Sequence, residues 1–226
     1  MNCEPSFCKG GNNMKLGDIK AEALKLMFVN AGKDIAFDNL ADYLGDDTYG
    51  YYLVNMPGAI NRAMGRLERA RVLPLRSCDM VAAAGTQTAR GVRFDMRVLA
   101  VDFYDAERLI KEDAEGYDGQ ADFMREEDVI YIEDYDTAAM YRLLYRPLVR
   151  RVTMGTPDDY EVSDVPEHIA AILPYAIKAE LFRDDDPDEA ERARVRFEEE
   201  LAALAGETRT SHAGCVRTVY GGGLML

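Results

Sequence analysis

Two helix-start signals follow each other closely within residues 164–206, and this pair constrains the fold more than any other stretch. The first is Asp164-Val165-Pro166-Glu167. Asp164 suits a capping position, Pro166 suits a first turn, and Glu167 stands where a carboxylate can reach back to the cap. The second is Asp186-Pro187-Asp188-Glu189, the same order of residue types. After the first signal come Ile169, Ile172, Leu173, Ala176, Ile177 and Leu181; after the second come Ala190, Ala193, Phe197, Leu201 and Leu204. Spacings of three and four residues place each set on one helix face. The link between the helices is so short that they must run antiparallel, with the two stripes facing each other. Phe197 lies centrally on its stripe and is the expected core anchor. Pro174 removes a backbone donor inside the first helix and predicts a bend. Gly206 is the expected left-handed stop.

Upstream, residues 1–13 include Gly10-Gly11-Asn12-Asn13 and read as a flexible leader, with Met14 a candidate start. A helix follows with Leu16, Ile19, Ala23, Leu26 and Met27 on one side, stopping near 30–32. A short second helix is predicted over 38–44, broken by Gly45-Asp46-Asp47. A third is predicted over 56–71, with Ile60, Ala63, Met64 and Leu67 inward. Pro57 either opens it or kinks a longer helix from near Tyr51.

After Pro74 the period changes from helical to alternating. Residues 92–98, Val-Arg-Phe-Asp-Met-Arg-Val, alternate strictly, as a half-buried strand does. The break at Leu99-Ala100 marks a bulge or a change of face. Residues 128–134 and 137–145 read as strands joined in a hairpin near Asp134-Tyr135-Asp136. Residues 148–153 and 160–162 add short strands, and 112–122 is a polar loop. The fold class is therefore α+β: a helical bundle (14–71 and 163–206, N-terminal helices plus a C-terminal helical hairpin), an inserted small antiparallel β module (72–162), and a C-terminal arm (207–226) that is extended or disordered.

Several blocks resemble one family. Val165-Pro166-Glu167-His168-Ile169, then residues 173–185, then 187–204 resemble the C-terminal helices of head-tail connector (adaptor) proteins of tailed bacteriophages. Residues 52–63, Tyr-Leu-Val-Asn-Met-Pro-Gly-Ala-Ile-Asn-Arg-Ala, are similar to their second-helix region, and residues 14–20 to their usual beginning. These blocks are packing motifs. The resemblance implies a virion structural protein in the neck, made in the host cytoplasm. It implies a homo-oligomeric ring, dodecameric like the portal it meets, with genome DNA passing through without sequence-specific binding. It further implies a C-terminal segment that reaches the portal and loops that meet a downstream neck or tail protein. The long insert at 72–162 departs from a minimal member. The rival reading is a non-viral helical scaffold whose β insert binds a peptide or sugar; an enzyme stands third.

Charge and composition narrow the field. The formal net charge is −14, which argues against a protein that coats nucleic acid over most of its surface. Four cysteines (Cys3, Cys8, Cys78, Cys215) form no C-x-x-C pair, and their spacing suggests neither a zinc site nor a disulfide framework. No apolar run approaches a membrane span. His168 and His212 have no nucleophile partner by sequence, and no phosphate-binding loop, nucleophile elbow or zinc-protease helix occurs. The acidic residues Asp102, Asp105, Glu112, Asp113, Glu115, Asp118 and Asp122 do not follow the EF-hand order. The expectation is no catalytic residue, no cofactor and no metal. In the run Asp184, Asp185, Asp186, Asp188, Glu189, Glu191, six carboxylates exceed what capping one helix needs. The surplus pairs with arginines of a neighbour or faces solvent.

Two features are candidates for contact. Arg62, Arg66 and Arg69, four and three apart, form one stripe beside an apolar face. Three readings stand: a solvated face, pairing with acidic surface of the next copy, or contact with DNA phosphates in a channel. The second feature is the segment after residue 206, with Arg209, Arg217, Val219, Tyr220, Leu224, Met225 and Leu226. It is expected to bind the portal, in part by adding a strand through 216–220.

Overall fold

A computed structural model describes residues 14–29, 34–112 and 118–214, with the side chains of Asp118 and of residues 208–214 excepted. The described residues form a mixed α+β protein with six α-helices and two four-stranded antiparallel sheets. They divide into two compact units. Residues 73–150 make one; the residues before 73 and after 150 make the other.

The helical unit holds α1 (Leu16–Met27), a 3₁₀ helix (Phe37–Tyr43), α2 (Tyr49–Ala70), α4 (Glu167–Ala170), α5 (Leu173–Leu181) and α6 (Pro187–Gly214). The inward residues are those of the periodic stripes. Leu16, Ile19, Ala23 and Met27 of α1, Ile60, Ala63, Met64 and Leu67 of α2, and Ile169, Leu173, Ala176 and Ile177 are buried, as are Ala190, Ala193, Phe197 and Leu201. Pro57 lies inside α2, which runs seven residues further toward the N-terminus than the periodic stretch. Asp46 supplies the start, its Oδ1 accepting from the amides of Thr48 (2.9 Å) and Tyr49 (3.2 Å). Arg71 closes α2 in the left-handed region, with φ 60°.

Four expectations for this unit need correction. The first C-terminal helix is not one bent rod. It is interrupted at Ala171–Ile172, so Pro174 falls in the first turn of α5, where its missing N–H costs nothing. Asp164 is not the cap; the helix begins after Pro166, whose carbonyl accepts from Ile169 (2.9 Å) and Ala170 (2.8 Å). Asp186 does cap α6, its Oδ1 accepting from the Glu189 amide at 3.1 Å. Gly206 is not a stop. Helix α6 continues to Gly214, so 207–214 is helical where an extended or disordered arm was expected. One glycine costs a helix only about 1 kcal/mol, and the flanking Ala202, Ala203, Ala205 and Glu207 are adequate helix formers. Residues 148–153 form no strand; 160–162 contribute a single bridge, Glu161 to Lys15. Residues 151–162 pack with the helices: Leu16 and Gly17 donate to the carbonyls of Tyr160 (2.9 Å) and Asp158 (2.8 Å), and Asn61 bonds both ways with the Val152 backbone (2.8 and 2.9 Å).

The β unit has β1 (Arg76–Asp79), β2 (Thr86–Thr88), β3 (Gly91–Asp95), a short α3 (Met96–Leu99), β4 (Phe103–Glu112), β5 (Asp118–Ala121), β6 (Met124–Glu126), β7 (Val129–Ile132) and β8 (Met140–Pro147). One sheet has the order β1-β8-β4-β5, the other β2-β3-β7-β6. Phe94, Met96, Leu109, Ile130, Ile132, Tyr141 and Leu143 belong to one shared core. The strand expected over 92–98 ends at Asp95, whose carboxylate caps α3 by accepting from the Arg97 amide at 3.1 Å. The expected hairpin at 134–136 is instead a crossing between sheets, since β7 pairs with β3 and β6 while β8 pairs with β1 and β4. Tyr135 at that crossing stacks on Tyr141 (4.7 Å) and donates its hydroxyl to the Met80 carbonyl (3.0 Å). The polar loop expected over 112–122 includes strand β5.

Candidate interaction surface

Helix α2 organises the helical unit, and its sides differ in chemistry. The inward side is apolar from Met56 to Leu67. Along its rim stand Arg62 and Arg66, one turn apart, and each meets a carboxylate of the C-terminal hairpin. Arg62 pairs with Glu180 on α5, and Arg66 pairs with Glu198 on α6. The Arg66 guanidinium also lies over the Phe197 ring, 4.7 Å from its centroid. The Glu180 carboxylate pushes the Arg62 pKa up. Burial, with Arg69 and Arg194 as neighbouring cations, pushes that of Arg66 down. Arg69 is exposed one turn further on. The stripe seen in sequence is thus largely an internal clamp: two of its three arginines are spent on carboxylates of the same chain. Sequence reasoning missed those partners. Glu180 and Glu198 adjoin Leu181 and Phe197, so their place beside the apolar stripes was the available signal.

The other end of α2 is held by aromatic and polar links. Phe28 meets Tyr49 (4.7 Å), Tyr52 (5.2 Å) and Phe182 (5.7 Å) edge-on. Tyr52 donates its hydroxyl to Asp185 Oδ2 at 2.6 Å. Burial and the Asp185 carboxylate both raise the Tyr52 pKa, so the hydroxyl stays protonated through the physiological range. Lys178 is buried, and its ammonium donates to the Leu26 carbonyl in the last turn of α1 (2.8 Å) and to Glu189 Oε2 (2.8 Å). Lys20, also buried, donates to Asp158 Oδ1 at 2.6 Å. The acidic run at 184–191 therefore has internal partners: Asp185 takes Tyr52, Asp186 caps α6, Glu189 holds Lys178 and Arg192, and Glu191 holds Arg194.

The outward side of α2 changes along its length. Near its N-terminus it presents Tyr51 and Val54, with Leu44 in the preceding turn, all at least half exposed. They are largely apolar surface that a partner can cover.

In the β unit, Arg76 pairs with Asp102, and Tyr145 donates its hydroxyl to Asp102 Oδ1 at 2.9 Å. Asp105 pairs with Arg125. Two of the acidic residues considered as cation ligands are thus committed to arginines. Among the described residues no group of three or more His, Cys, Asp or Glu is arranged to hold a metal ion, and no helix is long and apolar enough to cross a membrane. His168 is exposed in the first turn of α4. Of the residues expected to form the docking arm, Arg209 lies within α6, and Arg217, Val219, Tyr220, Leu224, Met225 and Leu226 lie outside the described residues. In comparisons with known proteins, no family model and no curated protein matches the chain.

Proposed function

We propose that this protein is a virion structural component, a head-tail adaptor that forms a ring beneath the portal of a tailed phage. In that place it extends the DNA channel and offers a surface for the downstream neck or tail protein. One observation carries the reading. The blocks that resemble the adaptor family, 52–63 and 165–204, are separated by about a hundred residues, yet contacts that lock α2 to the hairpin join one block to the other. Tyr52 bonds to Asp185, Arg62 pairs with Glu180, and Phe197 fills the core beside α2. The resemblance is therefore borne by residues that pack as one helical unit.

The net charge of −14 suits a channel component, because a surface of that sign does not hold a DNA duplex that has to move past it. The chemistry required is mechanical, and the ring would dock through surfaces outside the α2–hairpin core. The test is attachment to portal-bearing heads. Purified protein mixed with heads that display the matching portal should co-sediment saturably, at a fixed ratio to portal subunits. Protein that stays in the supernatant at every concentration would refute the adaptor reading.

A further inference from the structure

Arg69 is the cation that the internal clamp leaves over. It is exposed in the last turn of α2, and among the described residues no carboxylate pairs with it. Like charge crowds the surface round it. Arg66 has Arg69 and Arg194 as neighbouring cations. Two guanidinium groups overlie Gly65: a Cβ there would lie 3.7 Å from Arg69 Nη1 and 3.9 Å from both Nη1 and Nη2 of Arg151. Arg66, Arg151 and Arg194 are each answered by one glutamate, namely Glu198, Glu68 and Glu191. The four arginines therefore keep one positive charge uncompensated, on a chain whose net charge is −14. A helix C-terminus favours one cation, but its dipole gives no reason to gather four.

The opposite end of α2 is acidic. The Tyr52–Asp185 bond holds the turn between α5 and α6 there, and the Tyr43–Tyr49 ring contact holds the turns before α2. Asp42, Asp47, Asp184 and Asp188 are exposed at this end. Asp184 has Arg183 at 3.5 Å, in a pair whose side chains are almost fully solvated. Asp188 has no cation partner among the described residues. The two ends of one molecule do not meet. Arg69 stands seventeen residues beyond Tyr52, about 26 Å along the axis at 1.5 Å per residue, more than an arginine and an aspartate side chain bridge between them.

We infer that Arg69 of one copy, with Arg66 and Arg151 round it, receives Asp184 and Asp188 of a second copy. Chains of charge −14 repel wherever acid faces acid, so a contact between copies is favoured where the basic end of one meets the acidic end of the other. Duplex DNA is the poorer occupant. It brings a phosphate charge about every 1.7 Å of its axis and sets most of them against the acidic remainder of the chain. Donor and acceptor are different surfaces, so the contact is head-to-tail, and repeating it closes a ring or extends a filament. The inference rests on the ring reading above and deepens it by naming a joint between copies.

The test is charge reversal with rescue, read by sedimentation velocity of the full-length protein. Arg69→Glu sets acid against Asp184 and Asp188; an Asp184→Arg, Asp188→Arg double variant sets base against Arg69. All three positions are exposed, so each variant should keep its helical circular dichroism. Each alone should lose at least tenfold in apparent self-association. An equimolar mixture should regain it, because the reversed ends meet each other and so do the unaltered ones. Wild-type assembly should weaken as salt rises. Variants that associate like wild type, a mixture that stays as dissociated as its components, or a wild type that is monomeric at every concentration would overturn the inference. So would an Arg69→Glu variant that loses binding to duplex DNA and keeps its self-association. A ring that forms equally from every variant sinks this joint and leaves the ring reading standing. Rescue by mixing in open filaments supports the joint and sinks the closed ring.

Discussion

Replacing Phe197 by alanine tests the packing of the helical unit at its centre. Phe197 has no solvent exposure, and its ring carries the Arg66 guanidinium on one face. Truncating a buried phenylalanine costs about 3–5 kcal/mol, the sum of lost transfer energy and the cavity left behind. Loss of the cation–π contact adds about 0.5–1 kcal/mol, since the Arg66 side chain is 34% exposed and partly solvated. The expected total is therefore about 3.5–6 kcal/mol. Urea unfolding followed by far-ultraviolet circular dichroism should show this as a lowered midpoint with an unchanged slope. Heating should show a fall in Tm on the order of 10–20 °C for a unit of this size. Phe197→Leu, which fills most of the volume, should cost well under half as much. A loss below about 1 kcal/mol for Phe197→Ala would mean that the α2–hairpin core does not depend on this ring.

Other expectations are more local. The Lys178 ammonium, aided by Arg192, holds the Glu189 carboxyl below its ordinary value of 4.5. A lowered folded pKa contributes stability above the unfolded value and loses it as pH falls through the folded one, so the contribution fades below pH 4.5. Glu189→Gln should therefore be less stable than wild type at neutral pH and show a shallower loss on acidification, measured as Tm against pH. Asp102→Asn removes the charge facing Arg76, in a pair whose side chains are 21% and 19% exposed. Breaking a buried pair costs about 3–5 kcal/mol, and partial solvation brings this to roughly 2–3 kcal/mol. The same change should lower the Tyr145 pKa, which burial first and Asp102 second hold up, readable by tyrosine-labelled NMR. Gly17→Ala would put a methyl group into the Phe37 ring and should cost about 1–3 kcal/mol in a thermal melt.

The helical part of the fold was legible because its energetics are periodic. Ile60, Ala63, Met64 and Leu67, or Ala190, Ala193, Phe197 and Leu201, announce one buried face whatever they pack on. The β unit was less legible for two physical reasons. Its longest strand, β4, is interrupted by register shifts between Phe103 and Asp105 and between Ala106 and Arg108, so no period of two survives in its sequence. The strands β7 and β8 alternate well, yet alternation is the same whether two strands pair in a hairpin or cross between sheets. At the candidate surface, the arginine stripe was visible, and Glu180 and Glu198 stood beside the apolar stripes, but which arginine each meets is set by long-range packing that leaves no local signature. The exposed Tyr51 and Val54 were hidden in a helix whose inward side set the pattern. Their exposure becomes evident only when nothing within the described residues covers them.

The most direct test of the adaptor reading is electron microscopy of the purified full-length protein, alone and mixed with its portal. The account predicts particles of a single rotational symmetry with an axial opening, stacked coaxially on the portal ring when both are present. A monodisperse monomer that forms no ring alone and none on the portal would contradict it.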